Sequence, residues 1–104
     1  MAKYNSIITE YKENKYQSRK EARYAFELDV RIKLGEVKSW ERQFKLPIII
    51  NDTHICNYIV DFRVVLSDGS VSFVEIKGFS TAIFKLKYKL AQVLYPNLTF
   101  VLVK

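Results

Sequence analysis

Three charged side chains, Asp61, Glu75 and Lys77, interrupt two apolar runs in the segment VDFRVVLSDGSVSFVEIKG, residues 60–78. The segment is patterned as a β-hairpin, with β-branched and aromatic residues on either side of a turn at Asp68-Gly69. The chemistry open to these charges depends on register. A two-residue turn would set Glu75 opposite Phe62 and send Asp61 to the other face. A three-residue loop of Ser67, Asp68 and Gly69, with Gly69 left-handed in a bulged turn, sets Asp61 directly opposite Glu75. We favour the second register. It also collects Tyr58, Val60, Phe62, Val64, Leu66, Val74 and Ile76 on one nearly apolar face, the pattern of a core.

In that register the two acids stand about 4.5–5.5 Å apart at Cβ. Carboxylates that close repel each other unless a cation lies between them, and oxygen ligands on rigid strands suit a hard divalent ion such as Mg²⁺. Lys77 points to the same face as Glu75. Its positive charge falls where a phosphate in reaction would gain negative charge. The combination fits the hydrolysis of a phosphodiester. The bland alternatives are a strand-end acid facing water for Asp61 and a surface pair for Glu75 with Lys77, worth well under ~1 kcal/mol.

These side chains need elements to hold them. SRKEARYAFELDVRIKLG opens on the cap residue Ser18 and stops at Gly35, which predicts a helix over 18–34. Its stripe Glu21, Ala25, Leu28 and Ile32 lies on one face, with Ala22 and Phe26 alongside, so Glu21 heads the inward side. Ser18 and Glu21 also have capping-box spacing, and that role and a place in the site require the same position. VKSWERQFKLPIII reads as a strand region broken by Pro47, and ICNYIVDFRVVL and SVSFVEIKG as further strands. STAIFKLKYKLAQVLYPN fits strand or helix; its length and the stop at Pro96 favour helix. LTFVLVK is an apolar strand expected in the sheet interior. The expected order is α-β-β-β-α-β, an α/β fold with a central mixed sheet flanked by helices over 18–104. Residues 1–17 read as a polar arm that orders only against a partner.

Glu21 on a first helix, then Asp61, then Glu75-Ile76-Lys77 on consecutive strands resembles the PD-(D/E)XK nuclease superfamily. SRKEARY, YIVDF and VEIKGF are most similar to small phage nucleases of the endonuclease I and Holliday-junction-resolvase kind. The resemblance covers residues 16–104, and Val60 stands where the name's proline would be. It implies a restriction-endonuclease-like core and an Mg²⁺-dependent (or Mn²⁺-dependent) DNA endonuclease. Such enzymes are commonly homodimers that cut two strands at a branch point, in a bacterial or phage-infected cell. By that resemblance Asp61 and Glu75 bind the metal, joined by the main-chain carbonyl of Ile76 and by Glu21 directly or through water. Lys77 orients or activates the attacking water. Other readings are a nuclease subunit of a restriction, transposition or homing system, and a non-catalytic DNA-binding module of the same fold.

The 104-residue chain carries 17 Lys and Arg against 11 Asp and Glu, a net charge of +6 with a pI near 9.5, as expected of a nucleic-acid binder. Arg19, Lys20 and Arg23 near Glu21, with Lys85, Lys87 and Lys89 on the second helix, are candidate phosphate contacts that position DNA without reading its sequence; a solvated face is the alternative. Lys85 and Lys89 share a helix face and Lys87 points elsewhere. Gln43 is a candidate accessory to the site or to DNA, although a polar residue on a half-exposed strand is the simpler account. Asp52 and Asp68 read as turn residues. His54 and Cys56, two apart in an expected turn, lack a second pair for zinc. The single cysteine excludes an internal disulfide. No run approaches the ~18 apolar residues of a membrane span, and the start lacks a signal-peptide core, so a cytoplasmic protein is expected.

Overall fold

The protein is described by a computed structural model covering residues 9–12, 14–16, 18–76 and 81–104. Its elements are β1 (Thr9–Tyr11), β2 (Asn14–Tyr16), α1 (Arg19–Lys33), β3 (Val37–Ile50), β4 (Thr53–Leu66), β5 (Val71–Ile76), α2 (Ala82–Leu94) and β6 (Thr99–Val103). From α1 onward the order is α-β-β-β-α-β, as expected. The sheet order is β3-β4-β5-β6, antiparallel except for the parallel pair β5-β6, which α2 connects. The result is a mixed α/β architecture. Among the described residues no helix is long and apolar enough to cross a membrane.

α1 starts where the Ser18 hydroxyl accepts the Glu21 N–H at 3.1 Å and stops before Gly35, whose φ is +81°. Ala22, Ala25 and Leu28 are buried, but Ile32 and Phe26 are largely exposed, so the buried stripe is narrower than expected. Thr81 caps α2 in the same way, its hydroxyl accepting the Phe84 N–H.

The arm does more than await a partner. Its described part, β1-β2, is an antiparallel hairpin against α1: Tyr16 is 1% exposed, and the Tyr11 hydroxyl donates to Asp29. Aromatic burial on that scale offsets the ordering of a short segment. Residues 1–8 lie outside the described residues.

Two clusters fill the two sides of the sheet. Phe62, Val64, Val74 and Ile76 pack with Ala22, Ala25, Leu28 and Tyr16 on the α1 side. Leu46, Ile48, Tyr58, Val60 and Phe73 pack with Ala91 on the α2 side. Neighbours Phe73 and Val74 point oppositely, so the helices cover opposite faces. The expected single apolar face of β4 and β5 is therefore split, although nearly all its members are buried. On both long strands the even-numbered residues change sides between Arg42 and Phe44 and between Phe62 and Val60. The residues at this changeover, Gln43 and Asp61, occupy facing positions, because Arg42↔Phe62 and Phe44↔Val60 share one register. Gln43 has φ of +54°, a left-handed conformation costing about 1–2 kcal/mol for a residue with a side chain. Reversing the local pleat lets one hairpin serve both cores.

Three expectations need correction. Pro47 does not break its strand: β3 continues through it, paired with Asn57, because β3 is a sheet edge, where a missing N–H is tolerated. β6 is the opposite edge, with Val101 and Leu102 each 37% exposed, and not an interior strand. His54 and Cys56 lie on β4, and the turn before them is Asn51-Asp52, both left-handed, as a two-residue hairpin loop requires.

The β4-β5 ladder runs from Phe62↔Val74 to Val65↔Val71, with Leu66 N–H donating to the Ser70 carbonyl. The loop is thus Ser67, Asp68 and Gly69, and Gly69 has φ of +91°. The three-residue register is the observed one. A methyl group at Gly69 would meet nothing within 4 Å, so its cost is backbone conformation alone. Gly69→Ala is expected to lower unfolding stability by about 1 kcal/mol with an unchanged denaturant slope, measured by urea titration. No loss would mean that the left-handed turn is not required.

Candidate functional site

Continuing the β4-β5 register by one step sets Asp61 opposite Glu75. The regular ladder ends one step earlier, at Phe62↔Val74. Asp61 lies at the hairpin's changeover, so its carboxylate reaches between the strands, and its Oδ2 accepts the Ile76 main-chain N–H at 2.8 Å. Glu75 Oε1 accepts the Tyr58 hydroxyl at 2.8 Å. Each acid therefore has an oxygen held by a donor, and the two side chains also hydrogen-bond each other.

The electrostatics follow from this enclosure. Burial raises the Glu75 pKa to about 8, helped by the negative charge of Asp61 and opposed by the Tyr58 hydrogen bond. Burial also raises Asp61, with the Ile76 N–H, Glu75 and Arg42 pulling the other way. The pair holds a proton well above the ordinary carboxylate range. Tyr58 is driven up by burial and by Glu75, which keeps its hydroxyl a donor.

Glu21 heads the inward face of α1, as its spacing requires. Its pKa is raised to about 7 by burial and then by Asp61, while Arg42 lowers it. Glu21 thus joins the electrostatic cluster while its N–H is capped by Ser18, so half of the capping box and a place near the acids coexist. It does not close on them: among the described residues no group of three His, Cys, Asp and Glu side chains is gathered tightly enough to hold a metal ion. The donor set that fits a hard cation is therefore the Asp61–Glu75 pair, whose shared hydrogen bond a cation would replace, completed by main-chain or water oxygen.

Arg42 and Tyr58 are site residues that sequence reasoning missed. Arg42 Nη2 donates to the Lys15 carbonyl of β2 at 2.9 Å, and its guanidinium stacks 4.2 Å from the Tyr16 ring centroid. Its buried Nε has no partner among the described residues. The cation lowers the pKa of both Glu21 and Asp61. The hairpin of the supposed arm thus holds the site's counter-charge in place. The signals for both residues are faint: Arg42 adjoins Gln43, which reverses the alternation along β3, and the Tyr58 ring patterns it as a core residue although its hydroxyl reaches Glu75.

The remaining candidates divide. Lys77 lies outside the described residues. Gln43 is exposed and faces Asp61 across the ladder. Lys20 and Arg23 line one cavity beside Ile76, while Arg19 is exposed outside it. Lys85 and Lys89 are exposed on α2, on the opposite layer from α1. Lys87 differs from them: its ammonium donates to the Asn57 carbonyl at 3.1 Å, which ties α2 to β4 and occupies one of its donors.

Comparison with curated proteins and with solved structures gives no match. A family model described as "Protein of unknown function (DUF1064)" matches residues 1–104, and the chain belongs to that family.

Proposed function

We propose that this DUF1064 chain is a metal-dependent, structure-selective DNA endonuclease of the PD-(D/E)XK kind, a Holliday-junction resolvase acting as a homodimer in the cytoplasm. The observation that carries the reading is the Asp61–Glu75 pair. Two acids are held together at the end of a strand ladder, at a cost the fold does not require, where a cation would relieve their repulsion.

Mg²⁺ or Mn²⁺ would be held by Asp61 and Glu75, with the Ile76 carbonyl and Glu21, directly or through water, as further donors. Bound there, the ion would polarise the phosphate and acidify a water molecule. The chain's own groups prepare that arrangement. The Ile76 N–H and the Tyr58 hydroxyl fix one oxygen of each acid, so both carboxylates are oriented before substrate arrives. Arg42 offsets part of the negative charge, which lets three acids share one region. Lys77, next in the chain after Ile76, is assigned the orientation or activation of the attacking water. The net charge of +6 favours approach to a polyanion.

The test is incubation of the protein with a labelled four-way junction and with a matching linear duplex, each with Mg²⁺ or EDTA. Paired nicks at the junction that require the metal are expected. Cleavage of linear duplex at one fixed sequence would favour a restriction-type nuclease subunit instead. Binding without cleavage under every divalent metal would leave a DNA-binding module.

A further inference from the structure

On the α1 face of the sheet, beside Ile76, lies a cavity of about 200 Å³ that none of the three acids lines. One wall is a single face of α1: Lys20, Arg23, Tyr24 and Glu27 recur at helical spacing, one step round from the buried stripe. The other wall is formed by the adjacent ends of two parallel strands, Ile76 of β5 and Val103-Lys104 of β6, with Ile76 and Val103 paired. Three cations from two elements converge on this space against one acid, and Lys20, Arg23 and Lys104 are all exposed and free to reach into it.

Its place in the molecule matters as much as its charge. Ile76 follows Glu75 in the chain, lines the cavity and donates its N–H to Asp61, so this one residue links the cavity to the acid pair. Lys20 precedes Glu21. A phosphate held in the cavity would therefore be a near neighbour of one held at Asp61. Tyr24 is not a stacking platform for a base, because its ring already packs on Phe62 with centroids 5.3 Å apart. Arg23 brings a planar fork suited to two phosphate oxygens, and the two lysines add point charge.

We propose that this cavity is the subsite for the backbone phosphate adjacent to the one being cut, held by Lys20, Arg23 and Lys104. The assignment rests on the nuclease reading above, and it adds a fixed register of the strand relative to Asp61 and Glu75. Lys104, absent from any motif, becomes a substrate contact.

The test measures binding in EDTA, where no cleavage is expected, with junctions carrying one uncharged methylphosphonate at each backbone position in turn. For the wild-type protein, one position beside the branch point should cost about tenfold in affinity, more than its neighbours. The double variant Arg23→Ala/Lys104→Ala, checked for folding by its thermal melt, should bind the unmodified junction about tenfold more weakly. It should be indifferent to that one methylphosphonate and keep the losses at other positions. Its plot of log affinity against log salt should be shallower by about 1. An unchanged loss at that position in the variant, a uniform profile in the wild type, or no binding at all would overturn the subsite. Cleavage with Mg²⁺ is scored separately. A position-specific profile without any cleavage would remove the nuclease reading and leave a phosphate site; cleavage with a uniform profile would do the reverse.

Discussion

Asp61→Asn is expected to lower metal-dependent junction cleavage by about 10³-fold or more, on the scale of losing a group that acts directly on the reacting centre. The same substitution should raise the melting temperature of the metal-free protein at pH 8. Asparagine keeps an oxygen to accept the Ile76 N–H while removing the charge that opposes Glu75. The two effects in opposite directions separate a functional acid from a structural one, because a structural acid would lose stability when neutralised. Single-turnover cleavage and a thermal melt on the same preparation provide the check. Unchanged cleavage would sink the assignment of Asp61.

The second large effect is the dependence of stability on pH and metal. In the unfolded chain glutamates lose their protons around pH 4–5. In the folded chain Glu21 keeps its proton to about pH 7 and Glu75 to about 8. Across that window the folded state binds more protons than the unfolded state, so stability must fall as pH rises. Both groups retain contact with solvent, which reduces the combined effect to roughly 1–3 kcal/mol, or about 5–10 °C in melting temperature for a domain of this size. In EDTA the melting temperature should therefore drop between pH 5 and pH 8.5, and Mg²⁺ or Mn²⁺ should restore much of it at the alkaline end, with release of protons on binding. Glu75→Gln should flatten the EDTA profile. A melting temperature that is flat or rising with pH in EDTA would show that these acids are not buried against one another. Arg42 tempers the fall, since its guanidinium lowers the pKa of Glu21 and Asp61.

Local rules carried the reading of the sequence a long way where each element's instructions lie within a few residues. Ser18 and Gly35 bound α1 because a cap and a left-handed terminator act over one turn. Gly69 helped to make the hairpin register legible: it is left-handed, as the three-residue loop requires, and that loop sets Asp61 against Glu75. α2 could be told from a strand by its length and by Pro96. The candidate site was legible to the same extent: Asp61 and Glu75 meet as parity requires, and Glu21 comes within electrostatic reach of Asp61 from the helix.

What escaped the sequence has a common physical cause. Gln43 takes a left-handed conformation that its own residue type disfavours, so only packing on both sides of the sheet can hold it there. Once it does, the alternation beyond it inverts; Tyr58 and Val60 go to the α2 core, and the Arg42 side chain is left on the α1 side. Docking of β1-β2 was hidden because Tyr16 packs on residues far along the chain, including Phe62 with its ring centroid 6.4 Å away. The position of β6 at an edge was hidden because apolar composition reports preference for burial, whereas sheet order decides who supplies it. Residue types and spacing alone determined that this protein would bring two acids together on a bulged hairpin with a third on a capped helix. The assembled fold decided that Arg42 would stand beside those acids and that Lys104 would share a cavity with Lys20 and Arg23 of α1 and with Ile76, because such neighbours meet only through long-range packing, which no local pattern encodes.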